Sequence, residues 1–117
     1  MDEAGRAERR LRGRIDELLA RGQGYLEVPL SAGEFPVLTL GVRHGHAVVH
    51  LFRDAASVSL LVGDGSVPPD AAVEVPIMDD LAEFTGDFVL SVDRATAIAR
   101  TFVRTGTADG LGQWRDL

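Results

Sequence analysis

The stretch "PVLTLGVRHGHAVVHLFRD" constrains the fold more than any other part of the chain. Two runs rich in β-branched and apolar residues flank His44 and Gly45, and a two-residue turn there sets the register around it. Val42 then faces Ala47, Leu40 faces Val49 and Leu38 faces Leu51. Side chains alternate across a strand, so these six make one wholly apolar face that needs a cover. The opposite face carries Thr39, Gly41, Val48, His50 and Phe52. It is mixed in polarity and is expected to be partly wet.

Two stretches supply the cover. In "LSVDRATAIARTFVRTG", Val92, Ala95, Ile98, Ala99, Phe102 and Val103 fall at the three-and-four spacing of one apolar helical stripe. Ser91 is placed to cap the first turn, with Asp93 adding negative charge there. Arg100 and Arg104 complement the other end of the dipole, and Gly106 can take the left-handed conformation that stops the helix. A second helix is expected from about Glu3 to Arg21, with Leu11, Ile15, Leu18 and Leu19 on its buried face and Gly22 just beyond its end. Its six arginines are interleaved with acids, the pattern of a solvated face.

The remaining segments read as strands. "GYLEVPL" suits an edge strand, because Pro29 cannot donate to a ladder. "SVSLLVG" follows the hairpin through "DAA", and "AVEVPI" makes a fourth strand of the sheet after the loop "DGSVPPDA". Residues from Met78 to Asp87 are expected to be irregular, leading into "FVLS" and the C-terminal helix, and a short final strand holds Trp114. Strands followed by one strong helix indicate α+β: an antiparallel sheet of about four to six strands with an N-terminal and a C-terminal helix packed on it. The chain reads as one domain, 1–117, with a helix over 1–22, mainly strands over 24–90, a helix over 91–105 and a final strand over 111–117. A chain of this size buries about two thirds of its unfolded surface, enough for a core without staples.

Charge narrows the function classes. The net charge is −6, and no basic residue occurs between Arg53 and Arg94, while Asp54, Asp64, Asp70, Glu74, Asp79, Asp80, Glu83, Asp87 and Asp93 lie in that span. Such a surface disfavours direct nucleic-acid binding, since phosphate contacts need Lys and Arg. It suits a cationic partner, mainly by steering encounter. All twelve basic residues are arginine, which fits a genome rich in G and C. The charged start "MDEAGRAERRLRGR" has no following apolar run, and no segment approaches the ~18 apolar residues of a membrane span. A cytoplasmic protein with no export signal and no membrane contact is therefore expected.

No catalytic constellation emerges. There is no cysteine. His46 and His50 stand about 13 Å apart along a strand, too far to share a metal, so the histidines of "RHGHAVVH" are read as turn and surface residues. Ser57, Ser59, Ser66 and Ser91 lie in strand, loop or cap contexts, none in a nucleophile elbow. "GDGSVPPD" lacks the ligand pattern of a calcium loop and the lysine of a phosphate loop. Asp79, Asp80, Glu83 and Asp87 look solvated, without the apolar pocket that raises a carboxyl pKa for acid–base work. No enzyme, metal or cofactor is expected.

The segment "AEFTGDFVLSVDRATAIARTFVRTG…W" resembles the C-terminal half of the Imm1 family of bacterial polymorphic-toxin immunity proteins. The matching positions are Glu83 and Phe84, Val89 to Val92, Thr105 and Gly106, and Trp114. "TADGLG" stands where the family usually has a proline after the helix. The resemblance implies a small cytoplasmic antidote that binds a cognate toxin domain and blocks its active site, with a basic groove of nuclease or deaminase type as the target. On that basis Asp64, Asp70, Asp79, Asp80, Glu83 and Asp87 are expected to supply charge complementarity, with Trp114 as a core or interface anchor. Glu83 has a competing structural reading, capping or pairing with an arginine such as Arg94 or Arg104. The alternative is a non-catalytic accessory or regulatory module binding another protein through the mixed hairpin face around Val48, His50 and Phe52.

Overall fold

The computed structural model describes residues 3–30 and 35–117; Met1, Asp2 and residues 31–34, which fall within the expected helix and strand regions, lie outside the described residues. In chain order the elements are α1 (Glu3–Arg21), β1 (Gln23–Pro29), β2 (Val37–Arg43), β3 (His46–Asp54), β4 (Ser57–Leu61), β5 (Ala72–Ile77), β6 (Asp80–Thr85), a 3-10 turn (Gly86–Phe88), β7 (Leu90–Ser91), α2 (Val92–Thr105) and β8 (Trp114–Asp116). The main sheet runs β1-β2-β3-β4-β8, with β7 also paired to β3, and every pairing is antiparallel. The fold is α+β, with both helices on one face of a six-stranded sheet.

The central hairpin has the expected register, Leu38 opposite Leu51, Leu40 opposite Val49 and Val42 opposite Ala47. His44 and Gly45 close it at φ of 53° and 80°. Helix α2 is capped as its sequence requires: the Ser91 hydroxyl accepts from the Arg94 N–H at 3.2 Å, and Gly106 ends the helix at φ 74°. Its buried residues Ala95, Ile98, Ala99, Phe102 and Val103 meet the apolar hairpin face and Leu11, Ile15 and Leu18 of α1 in one core. Leu19 departs from expectation and is 46 % exposed. At about 100° per residue it stands about 80° round the helix from Leu11, at the margin of the stripe.

Three further expectations are corrected on the other face of the sheet. "AVEVPI" does form a strand, β5, but not in the main sheet, and Met78 to Asp87 is not irregular: Asp80–Thr85 is β6, paired with β5 as a separate two-stranded ribbon. That ribbon covers most of the mixed hairpin face, so Thr39, Gly41, Val48 and His50 are buried and only Phe52 stays half-exposed. Val48 is fully buried, Thr39 is 1 % exposed and His50 8 %. A second core forms there from Val48, Leu60, Val67, Val75 and Val89, with Val73, Ile77, Phe84 and Phe88 packed against it.

Gly41 explains how the ribbon comes so close. A Cβ on Gly41 would lie 2.4 Å from the Pro76 carbonyl oxygen and 3.1 Å from Val75 and Ile77 side-chain atoms, so only a residue without one leaves room. The loop back from β4 is tied down by main-chain bonds, Gly63 N–H to the Asp87 carbonyl at 2.7 Å and Gly86 N–H to the Ala71 carbonyl at 2.8 Å. The result is three layers: helices, sheet, ribbon.

Candidate functional site

Alternation along the ribbon sorts its residues into two sets. Val73, Val75 and Ile77 on β5 and Ala82 and Phe84 on β6 face the sheet and are buried or half-buried. The other face carries Ala72 opposite Thr85, Glu74 opposite Glu83 and Pro76 opposite Leu81, all exposed except the half-buried Pro76. Met78 and Asp79 close the ribbon, and Met78 takes φ 57°. A bulky residue at positive φ is uncommon and strained, at a cost of about 1–3 kcal/mol.

The structure gathers some of the expected acids and separates others. Asp79 and Asp80 sit exposed at the free end of the ribbon and Glu83 on its outer face, where Glu74, not among the expected contact residues, joins it. Cross-strand neighbours on one face have Cβ atoms about 5 Å apart, so Glu74 and Glu83 place two carboxylates side by side. Asp70 and Asp87 are exposed at the base of the ribbon, and Asp87 accepts a hydrogen bond from the Thr85 hydroxyl. Glu83 does not pair with Arg94 or Arg104; Arg104 reaches Glu8 at 3.5 Å instead.

Asp64 has a structural task. One carboxylate oxygen accepts from the Ser66 N–H at 3.0 Å and the other from the Ser91 N–H at 3.0 Å, fastening the loop after β4 to the start of α2. Partial burial pushes its pKa up, and the hydrogen bonds from Ser66 and Ser91 outweigh that, holding it below its ordinary value. Trp114 is also apart from the acids. It is half-buried, pairs with Leu61 and packs against the helix-side core, across the sheet from the ribbon, so its placement is that of a core residue. Its neighbour Arg115 points the other way and lies over the Phe88 ring at 5.5 Å.

Where the ribbon passes the hairpin turn, a shallow cleft of about 370 Å³ is lined by Arg43, His44, His46, Val73, Glu74 and Glu83. The Arg43 guanidinium is 3.9 Å from the Glu74 carboxylate, the only cation that an ion pair brings to the ribbon among the described residues. Among the described residues no three His, Cys, Asp or Glu side chains are arranged to hold a metal ion. What the ribbon offers chemically is a set of carboxylate acceptors and a concentrated negative potential.

The histidines divide differently from expectation. His44 is exposed and His46 half-buried, but His50 is buried between the sheet and the ribbon, 6.4 Å from the Phe52 ring and edge-on to Phe84 at 5.6 Å. Burial lowers its pKa. The same cover buries Val48 and His50 of the mixed hairpin face and leaves Phe52 half-buried.

The signal for the acidic ribbon was present in "VEVPIMDDLAEFT". A two-residue turn at Met78–Asp79 sets Leu81, Glu83 and Thr85 on one face and Ala82 and Phe84 on the other, the same alternation that revealed the first hairpin. Two adjacent aspartates and the lack of a glycine at the turn concealed it. No helix among the described residues is long and apolar enough to cross a membrane. No protein-family model matches the chain, and no curated protein does so either.

Proposed function

We propose that this chain is an immunity protein that works in the cytoplasm without catalysis, binding a cognate toxin domain and covering its active site with the β5–β6 ribbon. The observation that carries this reading is the ribbon's exposed acids: Glu74 and Glu83 on its outer face and Asp79 and Asp80 at its free end, in a span of sequence without a basic residue between Arg53 and Arg94. A toxin that acts on nucleic acid needs a basic substrate groove, and an anionic ribbon fits such a groove as a phosphate mimic. The Imm1 resemblance supplies the toxin as the class of partner. Asp70 and Asp87 extend the negative field at the ribbon's base, whereas Asp64 and Trp114 hold the fold together and are not assigned contacts.

Co-expression with the product of the neighbouring reading frame tests the reading, with rescue from growth arrest as the expected result; growth arrest unrelieved by this chain refutes it. The electrostatic part has its own measurement. Reversing Asp79, Asp80 and Glu83 to lysine should slow association about tenfold or more at low salt and flatten its salt dependence. On-rates that stay the same at every ionic strength count against it.

A further inference from the structure

The ribbon carries more than charge. Among the described residues few large apolar side chains are exposed, and two of them, Met78 at 63 % and Leu81 at 49 %, stand at the free end of this one element. Pro76 pairs with Leu81 on the outer face, and Glu74 with Glu83 is the next outward pair behind them. Asp79 and Asp80 separate Met78 from Leu81 in sequence. The apolar patch therefore has Glu74 and Glu83 behind it on the same face and Asp79 and Asp80 beside it at the ribbon's free end, Asp80 on the side of its partner Ile77.

Folding does not require these side chains. The ribbon is held to the sheet by Val75, with Val73, Ile77 and Phe84, from the opposite face. Hairpin turns that put only their first residue at positive φ ordinarily have glycine there, and Met78 occupies that place at φ 57°, with Asp79 not at positive φ. A large apolar side chain thus stands at a position where turn chemistry favours none and packing gains little.

We infer that Met78, Leu81 and Pro76 form an apolar plug that enters a pocket on a protein partner, and that Arg or Lys side chains around that pocket meet Asp79, Asp80, Glu74 and Glu83. Charge complementarity selects this occupant. Anionic lipid surfaces and nucleic acids are repelled by the same four carboxylates, and a pocket with an acidic rim is repelled as well. The division of labour is that of a protein interface: buried apolar anchors set the residence time, and peripheral charges set the encounter rate. That the partner is a toxin rests on the reading above; the plug itself does not.

The test places a photo-crosslinking amino acid at position 78 or 81 in cells that naturally encode the chain, with Leu19 and Leu117 as exposed apolar controls. The expected result is one discrete adduct at 78 and 81 that is missing at the controls, mapped to a partner pocket bordered by Arg or Lys. With that partner purified, Met78→Gly and Leu81→Thr should each speed dissociation about tenfold while changing association less than about threefold. Met78→Gly relieves the turn, so its thermal unfolding should be no lower than that of the parent, which excludes misfolding as the cause. No adduct at either position, equal adducts at Leu19, or dissociation within about twofold of the parent overturns the plug. A mapped partner that causes no growth arrest overturns the immunity reading and leaves the plug standing; rescue from a toxin without adducts at 78 and 81 does the reverse.

Discussion

One face of the six-stranded sheet is covered by two helices and the other by a two-stranded ribbon, and the two covers are encoded in opposite ways. On the helix face, Leu38, Leu40, Val42, Ala47, Val49 and Leu51 meet stripes of Leu, Ile, Ala, Val and Phe from α1 and α2. Any amphipathic helix of suitable length would gain by lying there, because burying apolar area is non-directional. On the ribbon face the same strands present Thr39, Gly41, Val48 and His50, which reward only a cover of matching shape. Generic burial therefore holds the first layer, and local fit holds the second. The element with the more conditional attachment is also the one that carries the exposed acids and the apolar tip.

That difference is open to measurement. The largest effect is expected on the helix face, where Phe102→Ala removes a fully buried ring from the larger core and should lower global stability by about 3–5 kcal/mol in chemical denaturation. Gly41→Ala comes next, at about 1–3 kcal/mol, since its Cβ meets the Pro76 carbonyl. Amide exchange should then show β5 and β6 losing more protection than α2. Equal loss in both layers would mean that they unfold as one unit and would break the comparison.

A smaller effect concerns His50, the titratable group sealed by the ribbon. Burial holds its folded pKa below the ordinary 6.5, so as pH falls the unfolded chain takes up the proton first. The stability tied to the neutral imidazole is complete above about pH 6.5 and is lost as pH falls from there towards the folded value. His50→Phe should flatten the acid limb of a stability–pH curve in that window, and an unchanged limb would show that the ribbon does not seal the site. The smallest effect is expected at Glu83, which faces the like charge of Glu74 across the ribbon. Glu83→Gln should raise stability by about 0.2–1 kcal/mol in thermal unfolding while slowing association with a cationic partner, so that folding and binding move in opposite directions.

Much of the fold was legible because each signal was local. The stripe from Val92 to Val103, the Ser91 cap and the Gly106 stop identify α2 without reference to the rest of the chain, and the His44–Gly45 turn fixes the hairpin register within a few residues. The candidate site was less legible for two reasons. The turn puts Met78, a bulky residue, at positive φ with no glycine beside it, so β6 was concealed, and with it the pairing of Glu74 and Glu83. Asp64 and Trp114 carry the charge and bulk expected of interface residues, and only their contacts, with Ser66 and Ser91 for one and the helix-side core for the other, reveal structural work.

From its sequence alone this chain is an α+β domain with two capped helices, one apolar sheet face and an acidic middle, because periodicity, capping and charge are properties of neighbouring residues. Whether β5 would join the sheet or fold across it was decided only in three dimensions. Strand propensity is satisfied by pairing with β6 just as well as by pairing with β4, and the choice fell to the fit of Val75 and Ile77 over Gly41 and to the burial of Val48, residues distant in sequence that meet only once the hairpin has formed.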